Sequence, residues 1–302
     1  MRTMGRGRSS VGLCVAVAVL SVGVAACGDD NDDADDAAKE ATPLQITTSD
    51  AGSKRYRTEA PKSVEGGLVK LTFTNAAKDE HEAQLIRIDE GHTAREVLKL
   101  LAAQSDVIPN WAHLAGGLGS TGPGRTASAT LNLPAGKYVM IDSGSGDGPA
   151  PSSRGALAEF EVTAGKDGAL PASSAAITGV TDEQAKPEHS FEVSGLKVGN
   201  NRLRLVSKGE EPHHAVLFPI LPGKTLTDVE KFFTTEGRPS GPPPVDFEGG
   251  AGTAVLDGDS EQVTDLQLRT AGKYAMVCFL TDRDGKGKEH LANGMIEEVD
   301  VK

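Results

Sequence analysis

The sequence predicts an all-β protein made of two tandem β-sandwiches, each with one short helix. Three observations lead to this prediction. Short runs of Val, Ile, Leu, Phe and Thr are separated throughout by Gly, Pro, Asn and Asp, which is typical of strands joined by turns. The chain contains an internal repeat of more than 100 residues. Each copy is interrupted once by apolar residues at helical spacing.

The first 26 residues have the pattern of a secretory signal peptide. Three arginines precede a charge-free apolar run at 11–26, which is short for a membrane-spanning helix of about 20 residues. Residues 24–27 read Val, Ala, Ala, Cys and resemble the lipobox of bacterial lipoproteins, in which cleavage precedes a lipidated cysteine. We therefore expect a lipid on Cys27 and a location on the extracytoplasmic face of the bacterial cell membrane. The alternative is an ordinary signal cleaved after Ala26.

The segment 27–43 is expected to be an acidic tether between the lipid and the folded chain. Residues 28–40 are rich in Asp and Ala and contain no large apolar residue that could support a core. Removing the three arginines of the signal from the 31 basic residues leaves 28, against 43 acidic residues, a net charge of −15. Nucleic-acid affinity depends on Lys and Arg neutralising phosphates, so no nucleic-acid partner is expected.

The repeat divides the rest of the chain. Matching positions lie 132 residues apart early in the copies, and the sequence Ala-Gly-Lys-Tyr recurs at 135–138 and 271–274. The four extra residues of this later offset fit a loop insertion. The predicted domains are therefore 44–164 and 173–302, separated by a linker at 165–172. The early matching pairs are Gly67 and Gly199, His81 and His213, Gly91 and Gly223, and Thr93 and Thr225.

The elements of the first copy follow in order. One helix is predicted at 93–103, where Thr93 and Glu96 form a capping box, and its counterpart lies at 226–234. Loops rich in Gly, Pro and Ser are predicted after the helices, at 116–124 and 237–244. The predicted strands are 45–48, 68–75, 83–88, 127–133, 138–142 and 158–163.

The second copy carries a set of metal-ligating residue types. Cys14 leaves with the signal and Cys27 is assigned to the lipid, so Cys278 is the one thiol left and no intramolecular disulfide is possible. His290 follows it in a polar loop, and Met295 stands five residues further on, directly after a glycine. His213 lies in an earlier strand-like segment.

This arrangement over about 110 residues resembles the cupredoxins, the blue copper family of plastocyanin and azurin. The resemblance implies two tandem cupredoxin-like Greek-key β-sandwiches. It also implies one copper ion in the second, bound by His213, Cys278, His290 and Met295. Two imidazoles, a thiolate and a weak thioether suit both Cu(I) and Cu(II), and a bound thiolate is protected from oxidation. The loop of twelve positions between Cys278 and His290 is longer than in small cupredoxins.

The first copy lacks these donors. Asp142 stands opposite Cys278, Ala156 stands opposite Met295, and only the histidine at position 81 is kept. We expect this copy to be a structural or docking module.

His213 is preferred to His214 as a ligand, because it aligns with the histidine of the first copy and neighbours on a strand point to opposite faces. The choice between the two stays open. His92, His113 and His189 have no companions at ligand spacing and are expected at the surface.

The predicted function is that of a membrane-anchored copper-binding protein that passes single electrons or holds copper for a redox or copper-exchange partner. No catalytic triad, phosphate loop or carboxylate pair stands out, so we expect no enzyme. Zinc is an alternative metal. The alternative function is a metal-free cell-surface β-sandwich module that binds a protein or a sugar through its loops.

Overall fold

The computed structural model describes residues 41–105, 107–144, 148–235, 241–287 and 289–302. These residues form sixteen strands, two α-helices and two short 3₁₀ helices, so the predicted strand-rich class is confirmed. The predicted signal peptide, Cys27 and residues 28–40 of the tether lie outside the described residues. Among the helices within the described ranges, none is long and apolar enough to cross a membrane.

The first half contains eight strands. Strand β1 begins at Thr42, so the last two residues of the predicted tether already belong to it, and β8 runs to Lys166, into the predicted linker. A helix, α1 (Ala94–Ala102), follows β4, and a 3₁₀ helix, η1 (Pro151–Arg154), precedes β8. The strands are β1 (Thr42–Asp50), β2 (Tyr56–Glu59), β3 (Ser63–Asn75), β4 (His81–Ile88), β5 (Ala112–Thr121), β6 (Thr126–Leu133), β7 (Gly136–Ile141) and β8 (Leu157–Lys166).

The second half repeats this order. Helix α2 (Leu226–Thr234) follows the fourth strand, and a second 3₁₀ helix, η2 (His290–Asn293), precedes the last. The strands are β9 (Ala175–Thr181), β10 (His189–Ser194), β11 (Gly199–Lys208), β12 (Val216–Pro219), β13 (Ala251–Gly252), β14 (Ser260–Leu268), β15 (Gly272–Val277) and β16 (Ile296–Val301).

The strand order within each four-stranded group is the same in both halves. In the first half the strands pair in the orders β2-β1-β3-β6 and β5-β4-β7-β8, and β3 and β8 also pair. In the second half the orders are β10-β9-β11-β14 and β13-β12-β15-β16. The two groups of each half share one apolar cluster, since Leu71 and Phe73 pack with Leu85 and Met140, and Leu205 packs with the second-half counterparts.

The halves are joined by backbone pairing and by two glutamines. Strands β6 and β14 pair antiparallel, so one sheet continues from the first half into the second. The Gln262 side chain accepts a hydrogen bond from the Gly117 N–H and donates one to the Gly117 carbonyl, at 2.8 and 3.0 Å. Gln84 exchanges a similar pair with Val255. These buried amides fix the relative position of the halves.

The loop predicted at 116–124 is largely a strand. Its glycines are needed for close approach: a Cβ on Gly117 would lie 2.0 Å from the Ala83 carbonyl oxygen, and one on Gly119 would lie 1.9 Å from that of Gly252. The glycine-rich composition that predicted a loop therefore belongs to a strand that packs closely against two neighbouring segments. Both helices lie where predicted. In α1 the Glu96 carboxylate accepts a hydrogen bond from the Thr93 N–H at 2.8 Å, as the predicted capping box requires.

Candidate metal centre

The four predicted ligands gather at one end of the second half. His213 lies shortly before β12, Cys278 directly follows β15, His290 begins η2, and Met295 directly precedes β16. Cys278, His290 and Met295 are completely buried, and His213 is 2% exposed. The Cys278 Sγ lies 3.6 Å from the Nδ1 of His290, and the ring centres of His213 and His290 are 5.1 Å apart. Residues 77 positions apart in the chain are thus brought into contact.

Backbone hydrogen bonds hold three of these residues in place. The Cys278 N–H donates to the Met295 carbonyl at 3.2 Å, and the Met295 N–H donates to the His290 carbonyl at 2.8 Å. Gly294 ends η2 with a positive φ of 104°, a conformation that favours glycine, and this turn places Met295 next to Cys278. The glycine directly before Met295 therefore has a structural role, since it allows the turn that brings Met295 next to Cys278.

His189 is the residue that the sequence did not identify. It was expected at the surface, but it is completely buried, and its ring stacks on that of His290 with centres 3.9 Å apart. One ring nitrogen from each of His189, His213 and His290 lies within 4.8 Å of the other two. The reason is register: β9 and β10 form a hairpin in which His189 pairs with Thr181, at the end where His213 lies. The expectation of a surface position was wrong for His189.

His92 and His113 are half-buried and lie elsewhere. His92 stacks on Trp111, and His113 is 3.0 Å from Asp89. His214 also points away from the cluster, and its Nε2 accepts a hydrogen bond from the Phe279 N–H at 3.0 Å. His213 and not His214 lies in the cluster.

Gly179 makes room for the His213 ring. A Cβ at this position of β9 would lie 2.7 Å from the His213 Cβ and 2.8 Å from its Cγ. Any larger residue would displace the imidazole.

Polar groups meet the far sides of the three rings. Thr181 Oγ1 lies 2.9 Å from His213 Nε2 and 3.0 Å from His189 Nδ1. The Asp282 carboxylate lies 3.3 Å from His290 Nε2 and 3.5 Å from His189 Nε2. Metal-bound imidazoles in proteins commonly bond a hydroxyl or carboxylate through the nitrogen that does not bind the metal. His213 and His290 make these contacts through Nε2, so their Nδ1 atoms are the ones available to bind a metal.

The imidazoles are neutral near pH 7. Burial, together with the neighbouring imidazoles, lowers the pKa of His290 to about 2 and that of His213 to about 3. Burial also lowers the pKa of His189, against the opposing effect of Asp282. Neutral rings present lone pairs to a cation without first losing a proton. Burial raises the pKa of the Cys278 thiol to about 12, so the sulfur is protonated until a cation replaces the proton.

These donors fit a metal ion. His213 Nδ1 is buried without a hydrogen-bond partner among the described residues, and His290 Nδ1 faces the Cys278 sulfur. Nitrogens bound to one metal at about 2.0 Å stand roughly 3.5 Å apart, so the ring nitrogens of His189, His213 and His290, which lie within 4.8 Å of one another, require only a small contraction. Imidazole and thiolate donors select Cu or Zn over Mg or Ca.

The loop that carries Asp282 is tied to the first half through Arg283. The Arg283 guanidinium donates to the carbonyls of Ile108, Pro109 and Ala112 at 3.0–3.3 Å and pairs with Asp257 at 2.7 Å. The Ile108 N–H donates back to the Arg283 carbonyl at 2.9 Å. The predicted polar insert is thus anchored next to the imidazoles.

No protein-family model matches the chain, and no curated protein matches it. Among solved structures, a multicopper oxidase matches over 86% of this chain and 88% of its own, with 14% identity and a TM-score of 0.23. A dithionite-reduced auracyanin from Roseiflexus castenholzii matches over 39% and 96%, with 19% identity and a TM-score of 0.26. The blue copper protein auracyanin A from Chloroflexus aurantiacus matches over 41% and 99%, with 15% identity and a TM-score of 0.27. At these TM-scores the matches establish neither the fold nor the function of this chain.

Proposed function

We propose that the chain is an extracytoplasmic copper-binding protein with one mononuclear site in its second half, which passes single electrons. His213 and His290 bind copper through Nδ1, Cys278 binds it as a thiolate, and Met295 is a weak fourth contact. The observation that supports this proposal is the buried position of His290, whose Nδ1 lies 3.6 Å from the only thiol within the described residues and whose ring centre lies 5.1 Å from that of His213, with its unpartnered Nδ1.

The proposal includes a fold assignment for each half. We assign both to cupredoxin-like Greek-key β-sandwiches, related by duplication, with boundaries near 44–164 and 173–302. The assignment is supported by the two four-stranded groups, their identical order in the two halves, and the single apolar cluster between the groups of each half.

Copper would supply a one-electron couple. The chemistry of the protein donors explains why this set suits the metal. Two imidazoles and a thiolate with a long thioether contact accommodate both oxidation states with little rearrangement. All donors are at most 2% exposed, so competing ligands from solvent have no open position to enter. This favours an electron carrier over a protein that releases its ion.

His189 is assigned a positioning role. It shares Thr181 with His213 and Asp282 with His290, and it stacks on His290. Its replacement is expected to weaken copper binding 10- to 100-fold, as loss of such supporting contacts does, without abolishing colour.

The test is titration of the metal-free full chain with Cu(II). We expect one equivalent to bind and to produce an intense blue absorption from the copper–thiolate bond. His290→Gln should abolish the colour, and His113→Gln, a matched change outside the cluster, should leave it. A colourless wild-type complex would refute the thiolate assignment.

The three-imidazole cluster favours a second candidate, a metal held by His189, His213 and His290 without the thiol. Three histidines with one open position are a known zinc arrangement. Retention of Zn(II) affinity in Cys278→Ser, together with a colourless copper complex, would support this candidate instead.

Electron transfer and copper delivery are separated by a chelator challenge. An electron carrier should be reduced and reoxidised repeatedly while retaining its copper beside an excess of a Cu(I) chelator. A copper-delivery protein should lose the ion to the chelator on reduction.

Membrane attachment through Cys27 is part of the proposal and rests on the lipobox-like residues 24–27. Wild type should partition into the detergent phase, and Cys27→Ser should not. Equal partitioning would contradict lipidation.

A further inference from the structure

A large apolar cavity lies between the two halves, and none of the proposed copper ligands lines it. Its volume is about 910 Å³, within the range of small-molecule sites. The first half contributes Val97, Leu101 and other aliphatic side chains of α1 and β4, and the second half contributes phenylalanines. Neither half encloses the space alone.

The second-half wall is aromatic. Phe218 and Phe247 meet nearly edge-to-face with centres 5.3 Å apart, and Phe233 and Phe279 do so at 5.0 Å. Phe247 is 47% exposed and Val107, from the first half, is 44% exposed, and both line the cavity. Large apolar side chains that line a cavity and remain exposed to solvent are typical of ligand-binding sites, because a ligand removes their surface from water.

The charged groups that line this cavity are all acidic among the described residues. Glu80, Glu82 and Glu248 contribute to the lining, and no Lys or Arg does. Glu80 is paired with Arg269 at 3.4 Å. Glu82 has no cationic partner within the described ranges. It accepts hydrogen bonds from the backbone N–H and the hydroxyl of Ser143.

Glu82 is accordingly an uncompensated acid at an apolar site. Loss of hydration raises its pKa to about 7, against the hydrogen bonds from Ser143. The cavity is also lined by His214, whose Nε2 accepts a hydrogen bond from the Phe279 N–H, so this ring is neutral and does not supply a positive charge. A cationic group next to the half-buried Glu82 would offset the partial loss of hydration of its carboxylate, and aromatic faces attract cations as well.

We propose that this cavity binds a small hydrophobic organic cation, an arylalkyl or alkyl amine, with its apolar part among the phenylalanines and its ammonium group at Glu82. Charge complementarity selects this ligand class over fatty acids and other anions, which the carboxylates of Glu82 and Glu248 would repel. The proposal does not depend on copper binding.

The test uses three probes with the same ring: 1-naphthylmethylamine, 1-naphthylmethanol and 1-naphthoate. Binding to the metal-free full chain is measured by calorimetry near pH 8, where Glu82 is ionised. The amine should bind at least tenfold more tightly than the alcohol, and the naphthoate should not bind. Equal affinities, or no binding of the amine at millimolar concentration, would overturn the proposal.

Two variants locate the site. Glu82→Gln should lower amine affinity about tenfold and leave alcohol affinity unchanged, whereas Glu159→Gln, exposed outside the cavity, should change neither. Phe247→Ala should weaken both ligands, and Val198→Ala, exposed elsewhere, should not. Unchanged amine preference in Glu82→Gln would refute the role of this carboxylate. Amine binding should persist in Cys278→Ser, which separates this proposal from that of the copper site.

Discussion

The same chain positions meet at one end of each half, but they carry different chemistry. In the second half, three imidazoles, a thiol and a thioether are buried together. In the first half, His81 is in contact with the Asp142 carboxylate, and Tyr56 lies edge-on to His81 with ring centres 4.4 Å apart. The corresponding pairs are Tyr56 and His189, His81 and His213, Asp142 and Cys278, Pro151 and His290, and Ala156 and Met295.

This difference shows what each set of residues requires. The first half supplies its histidine with an anionic partner from the chain, and that carboxylate accepts a further hydrogen bond from the Gly144 N–H at 2.9 Å. The second half places three rings and a thiol together, and the half-exposed Asp282 carboxylate lies 3.3 Å from the His290 ring and 3.5 Å from the His189 ring. The Nδ1 of His81 is paired with a carboxylate of the chain itself, whereas its Nε2 is buried without a hydrogen-bond partner among the described residues. A buried group of neutral donors is satisfied by a cation.

The largest expected effect comes from exchanging the corresponding residues. Cys278→Asp introduces the residue of the first half into the second, and it should abolish the blue colour and lower copper affinity at least 100-fold, because a hard carboxylate replaces a soft thiolate. Copper per chain is measured after dialysis. The matched change Asp142→Asn should leave one copper bound. Two coppers in wild type, or unchanged affinity in Cys278→Asp, would contradict the division between the halves.

The second prediction concerns what the first half contributes to the site. Arg283→Ala removes the ion pair with Asp257 and leaves three carbonyls of residues 108–112 without their donor, so it should lower the free energy of unfolding by about 3 kcal/mol. It should also weaken copper binding, since Asp282 is adjacent. Urea unfolding measures the first effect. Arg204→Ala removes an exposed pair with Glu261 and should cost about 0.5 kcal/mol or less. Equal losses in the two variants would show that Arg283 is an ordinary surface residue.

Much of the fold could be predicted from the sequence. Alternating apolar runs located most of the strands, and the capping residues located both helices. Strand β5 was missed because its glycines serve close packing against Ala83 and Gly252, which only the folded chain reveals. Strand β2 was missed because its four residues carry no apolar run.

The candidate site was predictable only in part. Cys278, His290 and Met295 are close in sequence, and the repeat indicated His213. His189 lies on a hairpin whose register places it opposite Thr181, and no local pattern specifies that register. The signal that could have found it is its correspondence with Tyr56, an aromatic residue at the same position of the first half.

The third prediction uses acid to probe the buried imidazoles of the metal-free protein. The pKa of His290 is about 2 in the folded chain and about 6.5 in the unfolded chain, so between these values the unfolded state binds more protons. Stability should therefore be unaffected above pH 7 and should fall as the pH is lowered through 6.5. At pH 5 the loss should be on the order of 2 kcal/mol for each such ring. Urea midpoints across this range test it, and His290→Gln should show a shallower dependence. An equally steep dependence in the variant would contradict a neutral, buried His290.

The smallest effect is expected from replacing the Met295 thioether. This prediction tests how much copper binding in the second half depends on its weakest donor. Met295→Leu nearly conserves volume at a completely buried position, so it should cost less than about 1.5 kcal/mol of stability. The axial contact in such sites is long and weak, so copper should remain bound and the colour should persist. The reduction potential should shift, because the axial ligand tunes it. Met276→Leu is the matched control, since Met276 is equally buried in β15 but packs in the apolar cluster. Identical potentials in the two variants would place Met295 in the core with Met276, and would leave His213, His290 and Cys278 as the donors that distinguish the second half from the first.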